Sequence, residues 1–363
     1  MAKRVSVDKW LFTVILLLVF LGLIMVFSAS AVMARERFGS SYSFLLRQLG
    51  WAAAGIAAML VVMNIDYKQY RRSSIVFTFL GFTTLLLVGV FLFHDSHNTH
   101  RWIKIGPLSF QPSELAKPAI ILYLAYFLES RWQKISDWKH VLLPAAAPSV
   151  LLAALIIKEP DLGTAVACMA ITTAVLYIAG MKMRYLGYGL LASLLPLYFL
   201  IVRVPWRWNR IIAFLDPWKD PQGHGFHIIQ SMIAVSTGGL MGAGLMEGKQ
   251  KLFYLPEPHT DFIYANIAEE LGLWGAALVV ILFSIFLYRG IRTALRTQDP
   301  FARFLATGIT AMVVVQALIN MSVVLGMMPT KGIPLPFVSY GGSSLFITLA
   351  SVGILLNITQ QTD

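Results

Sequence analysis

The sequence predicts an all-α polytopic membrane protein with about ten transmembrane helices. Of its 363 residues, 57% are hydrophobic and 13% are charged, whereas a soluble domain carries about 25% charged residues. Apolar segments near the roughly 20 residues that cross a hydrocarbon core recur along the whole chain. No stretch between them is long enough for a second folded domain. Residues 1–363 are therefore expected to form a single integral membrane domain, with residues 203–260 as an outer subregion.

Ten apolar segments account for the predicted spans. The first is too long for the hydrophobic region of a signal peptide and lacks a clear cleavage site, so it is taken as a transmembrane helix. The short segment 141–157 has the least certain ends. In chain order the predicted spans are 11–33, 46–64, 73–93, 112–128, 141–157, 162–179, 185–202, 262–288, 304–327 and 339–358.

Basic residues lie next to alternate helix ends. An even number of spans places both termini on one side, and 15 of the 29 Lys and Arg residues fall in short connections on that side. This distribution follows the positive-inside rule, so both termini are predicted to be cytoplasmic. Residues 203–260 then form a long outer loop between helices 7 and 8. The same asymmetry accounts for the net charge of +11, so no nucleic-acid partner is inferred.

The densest group of charges surrounds the start of the eighth span. Asp261 stands at its beginning, Glu257 and His259 precede it, and Glu269 and Glu270 follow inside the span. A charge inside a membrane helix costs several kcal/mol unless it faces a cavity or a partner. A helix cap would explain Asp261 alone. The clustering of the other residues indicates a functional site instead.

Three other polar groups lie at outer helix ends. Glu114 and Lys117 are three residues apart, on one face of the helix that Pro112 begins. They are expected to pair and to line a cavity, with either a structural or a catalytic role. Asp161 lies in a tight turn at the start of the next helix. Prolines and glycines in residues 328–344 predict a rigid irregular loop, which at membrane depth must line a cavity.

The outer loop also contains an amphipathic stretch at residues 227–235. A glycine cluster follows it at positions 238, 239, 242 and 244. One interpretation is a short interfacial or re-entrant helix with a flexible return. The other is a plain surface helix that ends at glycine.

These residue types suit a reaction on an anionic, lipid-linked substrate at the outer face. Arg and Lys side chains hold diphosphates, and a carboxylate in a partly dry site accepts a proton from a hydroxyl group. The chain lacks the His-Glu-x-x-His, Gly-x-Ser-x-Gly and Walker motifs and has a single cysteine, Cys168. Serine hydrolysis and ATP-driven transport are thereby disfavoured. The residues alone leave an outer-face membrane enzyme or a transporter.

Eight ordered motifs extend over essentially the whole chain. They are Phe27-Ser-Ala-Ser30, the block from Arg101-Trp-Ile103 to Gln111-Pro-Ser-Glu-Leu-Ala-Lys117, Pro160-Asp-Leu-Gly-Thr164, Asp216-Pro217, Gln230-Ser231, Pro256-Glu-Pro-His-Thr-Asp-Phe262, Glu269-Glu-Leu-Gly272 and Pro336-Phe-Val-Ser-Tyr-Gly-Gly-Ser343. Together they resemble the SEDS family (shape, elongation, division and sporulation), the membrane peptidoglycan glycosyltransferases that include FtsW and RodA. The segments 250–257 and 329–332 are more similar to the FtsW branch, whereas 247–250 is a RodA-like feature.

The resemblance implies polymerisation of lipid II into glycan strands at the outer face of the bacterial cytoplasmic membrane, at the division septum for an FtsW-like member. It implies that Asp261 is the general base. Expected partners are lipid II, a class B penicillin-binding protein transpeptidase and other divisome or elongasome membrane proteins. A divalent cation such as Mg²⁺ is a candidate cofactor. The candidate substrate-binding residues are Arg101, Glu114, Lys117, Asp161, Arg210, His259, Lys331 and Ser339.

Three alternatives stay open at this stage. One is an elongation polymerase of the RodA type. Another is a lipid II flippase, because many helices with buried charges also suit a transporter. The third is a scaffold of the division machinery without catalysis. The charges gather at outer helix ends rather than at mid-membrane, which favours a polymerase over a carrier.

Overall fold

The computed structural model describes residues 7–92, 101–105, 108–252, 254–256 and 258–361. Helices occupy all ten positions predicted for spans, so the all-α polytopic fold is confirmed. The ten are Lys9–Phe38 (α1), Ser43–Asn64 (α2), Ser73–Gly89 (α3), Pro112–Glu129 (α4), Leu143–Lys158 (α5), Leu162–Ile178 (α6), Met183–Val202 (α7), Ile263–Arg296 (α10), Pro300–Val324 (α11) and Gly342–Thr359 (α12). Two shorter helices, Pro205–Leu215 (α8) and Phe226–Gly238 (α9), lie in the outer loop.

Eight of the described helices are long and apolar enough to cross a membrane, fewer than the ten predicted spans. The two that fall short have different reasons. The apolar helix α6 has only 17 residues. The 18-residue α4 carries Glu114, Lys117 and Glu129, and these charges lower its hydropathy. Both helices nevertheless lie where the sequence predicts spans.

The core of the bundle is built around α11. This helix packs against α4, α6, α10 and α12, and 72% of its most apolar window is buried. In contrast, no residue of α7 is buried, although its composition is equally suited to a membrane. A helix that is apolar on all sides and covered by no neighbour on most of its surface belongs in contact with lipid.

The two ends of the chain meet at the same end of the bundle. Asp8, the N-cap of α1, receives a hydrogen bond from Arg289 Nε at 2.6 Å. The Asp8 backbone N–H donates to Thr359 Oγ1 at 3.3 Å. This arrangement agrees with an even number of spans. The assignment of that end to the cytoplasm still rests on the distribution of basic residues.

A short β-hairpin, which the sequence did not lead us to expect, precedes α4. Its strands are Ile103–Ile105 (β1) and Leu108–Phe110 (β2), paired in antiparallel register with Ile103 opposite Phe110. The turn between them lies outside the described residues. The hairpin leads from Arg101 directly to Pro112 at the first position of α4, so it helps to place that arginine beside the outer helix ends.

The eighth predicted span is longer than expected and is broken. In α10, Gly272 has φ 65° and ψ −159°, which interrupts the helical ladder. The backbone groups released by the break pair with the outer loop: Leu273 N–H donates to Gly239 O at 2.9 Å, and Ala243 N–H donates to Glu269 O at 2.9 Å. Inside a membrane protein, an irregular backbone persists only where such internal partners exist.

The glycines after α9 serve close packing rather than a flexible return. A Cβ at position 238 would lie 1.9 Å from Ala268 O, and one at position 242 would lie 2.2 Å from Glu270 O. Both positions are glycine because the loop backbone runs directly against α10. Helix α9 itself is docked on the bundle, where Ser231 Oγ donates to Val324 O at 2.7 Å. Residues 227–235 thus differ from both interpretations: the helix is docked on the bundle and is not a plain surface helix, and its return is packed tightly against α10.

Candidate active site

Asp261 lies in a turn immediately before α10 and is half-buried. The N-cap of α10 is Phe262, whose side chain makes no capping hydrogen bond. Asp261 is thus one residue outside the position at which a capping aspartate would stand. Helix capping, the simplest structural explanation of this residue, does not describe its place in the fold.

The backbone around Asp261 is fixed by the last loop (residues 325–341) and by α11. Three successive carbonyl groups each accept a hydrogen bond. The bonds are Tyr340 N–H to His259 O (2.9 Å), Ser339 Oγ to Thr260 O (2.6 Å) and Asn320 Nδ2 to Asp261 O (2.8 Å). The Asn320 amide also donates to Ile333 O at 2.7 Å, so it joins the turn to the last loop. The carboxylate of Asp261 therefore extends from a backbone with little freedom to shift.

Gly332 of the last loop lies against this carboxylate. A Cβ at position 332 would lie 2.5 Å from Asp261 Oδ2, closer than any real contact of that kind. A side chain at this position would displace the Asp261 carboxylate. Lys331 is the residue before this glycine in the last loop.

Four basic side chains, which we call the outer cation cluster, act electrostatically on one another, with Asp261 acting on Arg210 and Asp161 on Lys331. Arg101 comes from the segment before β1, Arg207 and Arg210 from α8, and Lys331 from the last loop. Arg101 is anchored by hydrogen bonds from its guanidinium group to Glu159 O at 3.0 Å and to Pro160 O. Arg207 and Arg210 both stack on Trp206, at about 5 Å from its ring centre.

The members of the cluster influence each other's ionisation. Desolvation and the neighbouring Arg101 lower the pKa of Arg210, while Asp261 acts in the opposite direction. Desolvation, opposed by Asp161 and assisted by the three arginines, lowers the pKa of Lys331 from 10.5 to about 7. Several cations held this close repel each other, and a bound polyanion would relieve that repulsion. The cluster has the charge required for a diphosphate group.

Asp161 is the N-cap of α6. Its Oδ1 accepts a hydrogen bond from Thr164 N–H at 3.1 Å, and its Oδ2 accepts from Thr164 Oγ1 at 2.7 Å. Gln111 Nε2 adds a third contact at 3.3 Å. The side chain is 7% exposed. Asp161 therefore shapes the turn that anchors Arg101, and its charge faces Lys331 from inside the protein.

Glu114 and Lys117 form the predicted ion pair. Lys117 Nζ is 2.9 Å from both oxygens of Glu114 and 2.8 Å from Gln316 Oε1. Ser344 Oγ donates to Glu114 Oε2 at 2.7 Å. Gln316 also donates to Pro334 O at 3.0 Å, which connects the pair to the last loop. The pair is satisfied on every side by protein groups.

A cavity of about 30 Å³ lies between this ion pair and Asp161, as the sequence analysis expected. Its wall includes Gln111, Gln316 and Gly332. This volume accommodates about one or two water molecules, which is far less than a lipid-linked sugar requires. In this conformation the cavity beside Glu114 and Lys117 admits only groups of about the size of water, and their role in substrate binding stays a prediction.

His259 and Ser339, which the sequence analysis placed among the substrate-binding residues, belong to the scaffold of the site. Both are buried, at 4% exposure each. The His259 ring packs between Phe44 and Tyr340, with ring centres 4.7 and 5.6 Å away. Ser339 Oγ is occupied by the backbone of the last loop and of the Asp261 turn. The geometry assigns both residues to fixing Asp261. Glu257, which the same analysis noted, lies outside the described residues.

Glu159 is a site residue that sequence analysis missed. It is 0% exposed, and neither carboxyl oxygen has a hydrogen-bond partner among the described residues. Desolvation and the nearby Asp161 raise its pKa to about 9, against a smaller opposite effect of Arg101. The group is therefore neutral at pH 7. Its signal in the sequence was its position two residues before Asp161.

Arg207, Asn320 and Gln316 were also missed as site residues. Arg207 was visible only as one of several basic residues in a long loop. Asn320 and Gln316 are four residues apart on an apolar helix, hence on one face, and this spacing of two amides inside a span was the available signal.

The described residues contain no group of three or more His, Cys, Asp or Glu side chains arranged to hold a metal ion. Mg²⁺ is commonly bound by one or two carboxylates together with substrate phosphates. Asp261 beside a diphosphate would fit that mode, so a divalent cation brought by the substrate stays a prediction.

The fold and the site together define a polytopic membrane protein that presents a fixed carboxylate among cations at its outer face. Residues 8–363 match the family model for the FtsW, RodA and SpoVE cell cycle proteins, and the chain belongs to this family. The probable peptidoglycan glycosyltransferase FtsW of Geobacter metallireducens is 46% identical over 342 residues, which cover 93% of this chain and 90% of that protein. Stage V sporulation protein E of Bacillus subtilis is 42% identical over 361 residues, 99% and 98% of the two chains.

Solved structures agree with this assignment. A chain of a peptidoglycan synthase complex that coordinates polymerisation and crosslinking superimposes with a TM-score of 0.80 at 29% identity. The rod shape determining protein RodA of Thermus thermophilus superimposes with a TM-score of 0.72 at 26% identity. Both comparisons cover 98% of each chain. The chain is a multi-pass membrane protein of this family, and its sequence is closer to the FtsW relatives than to that RodA.

The buried ion pair generates a first prediction. Glu114→Gln or Lys117→Met leaves one charge unpaired in a dry site, which costs about 3–5 kcal/mol, so each single variant should lose thermal stability and yield. The double variant should recover most of that stability because no unpaired charge remains. Thermal unfolding of the purified proteins in detergent measures both effects. Equal instability of the single and double variants would contradict a mutually satisfied pair.

The lowered pKa of Lys331 generates a second prediction. With a pKa of about 7, the free site loses the ammonium charge as pH rises above 7, whereas a bound diphosphate restores it. The KM for the anionic substrate should therefore rise by up to about tenfold per pH unit above 7. Lys331→Arg keeps its charge and should show a clearly flatter profile. The KM of both proteins between pH 6.5 and 8.5 is the measurement, and identical slopes would refute this assignment.

The neutral Glu159 generates a third prediction. Its folded pKa of about 9 exceeds the ordinary value of 4.5, so the folded protein binds one more proton than the unfolded chain between those values. Stability should then fall as pH rises through that window, by at most about 1.4 kcal/mol per pH unit. Glu159→Gln removes this dependence. Thermal midpoints at pH 6 and pH 8.5 should diverge less in the variant; parallel behaviour would show that Glu159 is ionised in the fold.

Proposed function

We propose that this chain polymerises lipid II into glycan strands at the outer face of the cytoplasmic membrane, at the division septum. The observation that carries the proposal is the fixed Asp261 carboxylate, held against Gly332 and flanked by the outer cation cluster. A base and a group of cations at one point are what glycosyl transfer from a lipid diphosphate requires.

The enzyme class follows from the relatives, which are named peptidoglycan glycosyltransferases at 46% and 43% identity. The chain is accordingly a peptidoglycan glycosyltransferase of the FtsW type. The septal location is inferred from the same FtsW relatives, while sporulation protein E at 42% identity represents a second role for such a chain. Lipid II is the substrate that fits an outer-face site with this charge.

In the proposed reaction, Asp261 accepts the proton of the GlcNAc 4-hydroxyl of one lipid II molecule. The oxygen of that hydroxyl forms a bond to the muramyl anomeric carbon of the growing strand, and the bond from that carbon to the undecaprenyl diphosphate breaks. The diphosphate leaves with the bonding electron pair. Arg101, Arg207, Arg210 and Lys331 compensate its charge. Hydrogen bonds to three successive backbone carbonyl groups hold the base in place, so its carboxylate stays close to the geometry in which it can react.

A partner for crosslinking is part of the proposal. The solved complex that superimposes on this chain is a peptidoglycan synthase that coordinates polymerisation with crosslinking. We extend this to a class B penicillin-binding protein transpeptidase, with other divisome membrane proteins as further partners. A polymerase whose product stays at the outer face of the cytoplasmic membrane requires a crosslinking activity nearby.

The flippase alternative has weaker support from the charges. A carrier that moves a lipid diphosphate across the membrane requires polar groups along its path. Here the cation cluster lies on α8, in the last loop and in the segment before β1, and the buried pairs Glu114–Lys117 and Glu270–Lys251 are already satisfied by protein groups. Polymerisation is therefore the function that the site supports best.

Asp261→Asn tests the proposal. Asparagine has almost the same shape but is not a base, so glycan formation from purified protein and lipid II should fall by at least about a hundredfold. The protein should still insert, and its thermal midpoint should change little. Gel analysis of labelled lipid II products measures the activity. Lysozyme digestion of a parallel sample identifies the polymer as glycan.

Asp220→Asn is the matched control, because this carboxylate of the same outer loop is exposed and accepts its hydrogen bond from the nearby His224 backbone N–H. Its activity should equal that of the wild type. Two results would overturn the proposal: glycan from Asp261→Asn at the wild-type rate, or no glycan from the wild type under conditions in which it moves lipid II between vesicle leaflets.

A further inference from the structure

A second group of buried charges lies where the outer loop meets the break in α10. Lys251 Nζ is 2.7 Å from Glu270 Oε1 and 3.0 Å from Ser28 Oγ of α1. Ser28 Oγ in turn lies 2.6 Å from Glu270 Oε2. Lys251 is 5% exposed, Ser28 2% and Glu270 1%, so water does not compete for these contacts. Ser28, Lys251, Glu269 and Glu270 are called the kink clamp below.

The two carboxylates of the kink clamp also bind the loop backbone. Glu269 Oε1 accepts hydrogen bonds from Lys249 N–H at 2.7 Å and from Gln250 N–H at 3.2 Å. Glu270 Oε2 accepts from Met246 N–H at 3.0 Å. Two adjacent side chains of α10 thus hold three amide groups and one ammonium group of the loop. Position 248 is a glycine because a Cβ there would meet both carboxylates at 3.0 Å.

Stability alone is a poor explanation for these charges. Buried ion pairs are often no more stabilising than apolar side chains that pack into the same volume. What an ammonium–carboxylate contact adds is a defined geometry, because donors and acceptors at short range must keep their alignment. The kink clamp fixes the loop in one position against α10 and α1.

The chain that leaves the kink clamp leads to Asp261. It contains a turn in which Leu255 N–H donates to Gln250 O at 2.8 Å, and Leu255 is 1% exposed. Ten residues after Lys251 it reaches Asp261, where Asn320 and the last loop hold its far end. The segment is therefore fixed at both ends, and the kink clamp is the fixed point on the loop side.

We propose that Lys251 and Glu270 are positioning residues that set the place of the Asp261 carboxylate through this segment. The inference rests on the proposed function. Neither residue touches substrate; they act by holding the loop that carries the base. Loss of the Lys251 contact frees the near end of the segment, and Asp261 then samples positions away from the acceptor hydroxyl. A misplacement of about 1 Å at a reacting group reduces turnover about a hundredfold.

Lys251→Met is the first test, with purified protein and lipid II. Turnover at saturating lipid II should fall by about 10- to 100-fold, and KM should change by less than about threefold because the outer cation cluster is intact. Lys251→Arg, which keeps the cation, should recover a large part of the turnover. Ser28→Ala removes one donor to Glu270 and keeps both charges, so it folds and should show a smaller loss of turnover.

Arg289→Met is the matched control. It removes an ion pair of similar geometry, with Asp8, at the opposite end of the bundle. This variant should lose thermal stability to a comparable degree, yet its turnover should equal that of the wild type. Comparing Lys251→Met with Arg289→Met separates the effect of a general loss of stability on turnover from the effect of a displaced Asp261 carboxylate.

Two further measurements complete the test. Lys251→Met/Glu270→Gln removes both charges of the ion pair together, so Glu270 no longer leaves an uncompensated charge and the thermal midpoint should return towards that of the wild type while turnover stays low. Hydrogen exchange of the 246–262 segment should be faster in Lys251→Met and unchanged in Arg289→Met; this readout needs no glycan synthesis and stands even if lipid II is not the substrate. Full turnover in Lys251→Met, recovered turnover in the double variant, or unaltered exchange in that segment would overturn the proposal.

Discussion

The structure depends on one constraint: each backbone group that leaves a helix inside the membrane domain must find a partner in the protein. The Asp261 turn, the last loop and the return after α9 are all irregular. The partners of the first two are amides and hydroxyls of a few side chains, chiefly Asn320, Gln316 and Ser339, and those of the return after α9 are backbone groups of α10. Water would satisfy the same groups without fixing them. Protein partners fix them in one geometry, and a reacting carboxylate needs that geometry.

The charges of the protein are handled in two distinct ways. The Glu114–Lys117 pair and the kink clamp are buried and held by hydrogen bonds from protein groups, so these charges have partners before any ligand arrives. The outer cation cluster is not compensated to the same degree, and mutual repulsion with desolvation lowers the pKa of Lys331 to about 7. Charged groups that are already paired hold structural elements together, whereas cations that repel one another are stabilised when an anion binds. This difference distinguishes the scaffold from the binding site better than the distance of a residue from Asp261 does.

Much of this was predictable from the sequence. Apolar length located all ten helices, and the spacing of Glu114 and Lys117 gave their pairing, because both depend on helical periodicity alone. The places where the prediction was wrong depend on long-range packing. The break at Gly272 exists because the outer loop supplies replacement partners, and the local sequence around this glycine is the same with or without them. The contacts that His259 and Ser339 make with the Asp261 turn could not be read from the sequence for the same reason, and their role in substrate binding stays a prediction.

The glycines after α9 show how packing changes the meaning of a local pattern. In sequence, Gly238 and Gly242 suggest freedom to re-aim the chain, because glycine adopts many conformations. In the fold they lie so close to the carbonyl groups of α10 that a Cβ would overlap them, and the loop amides bond to that same helix. The exposed α8, which carries Arg207 and Arg210, lies outside this bonded region. The glycine pattern therefore predicted a bend after α9, but it could not predict that backbone hydrogen bonds to another helix close that bend.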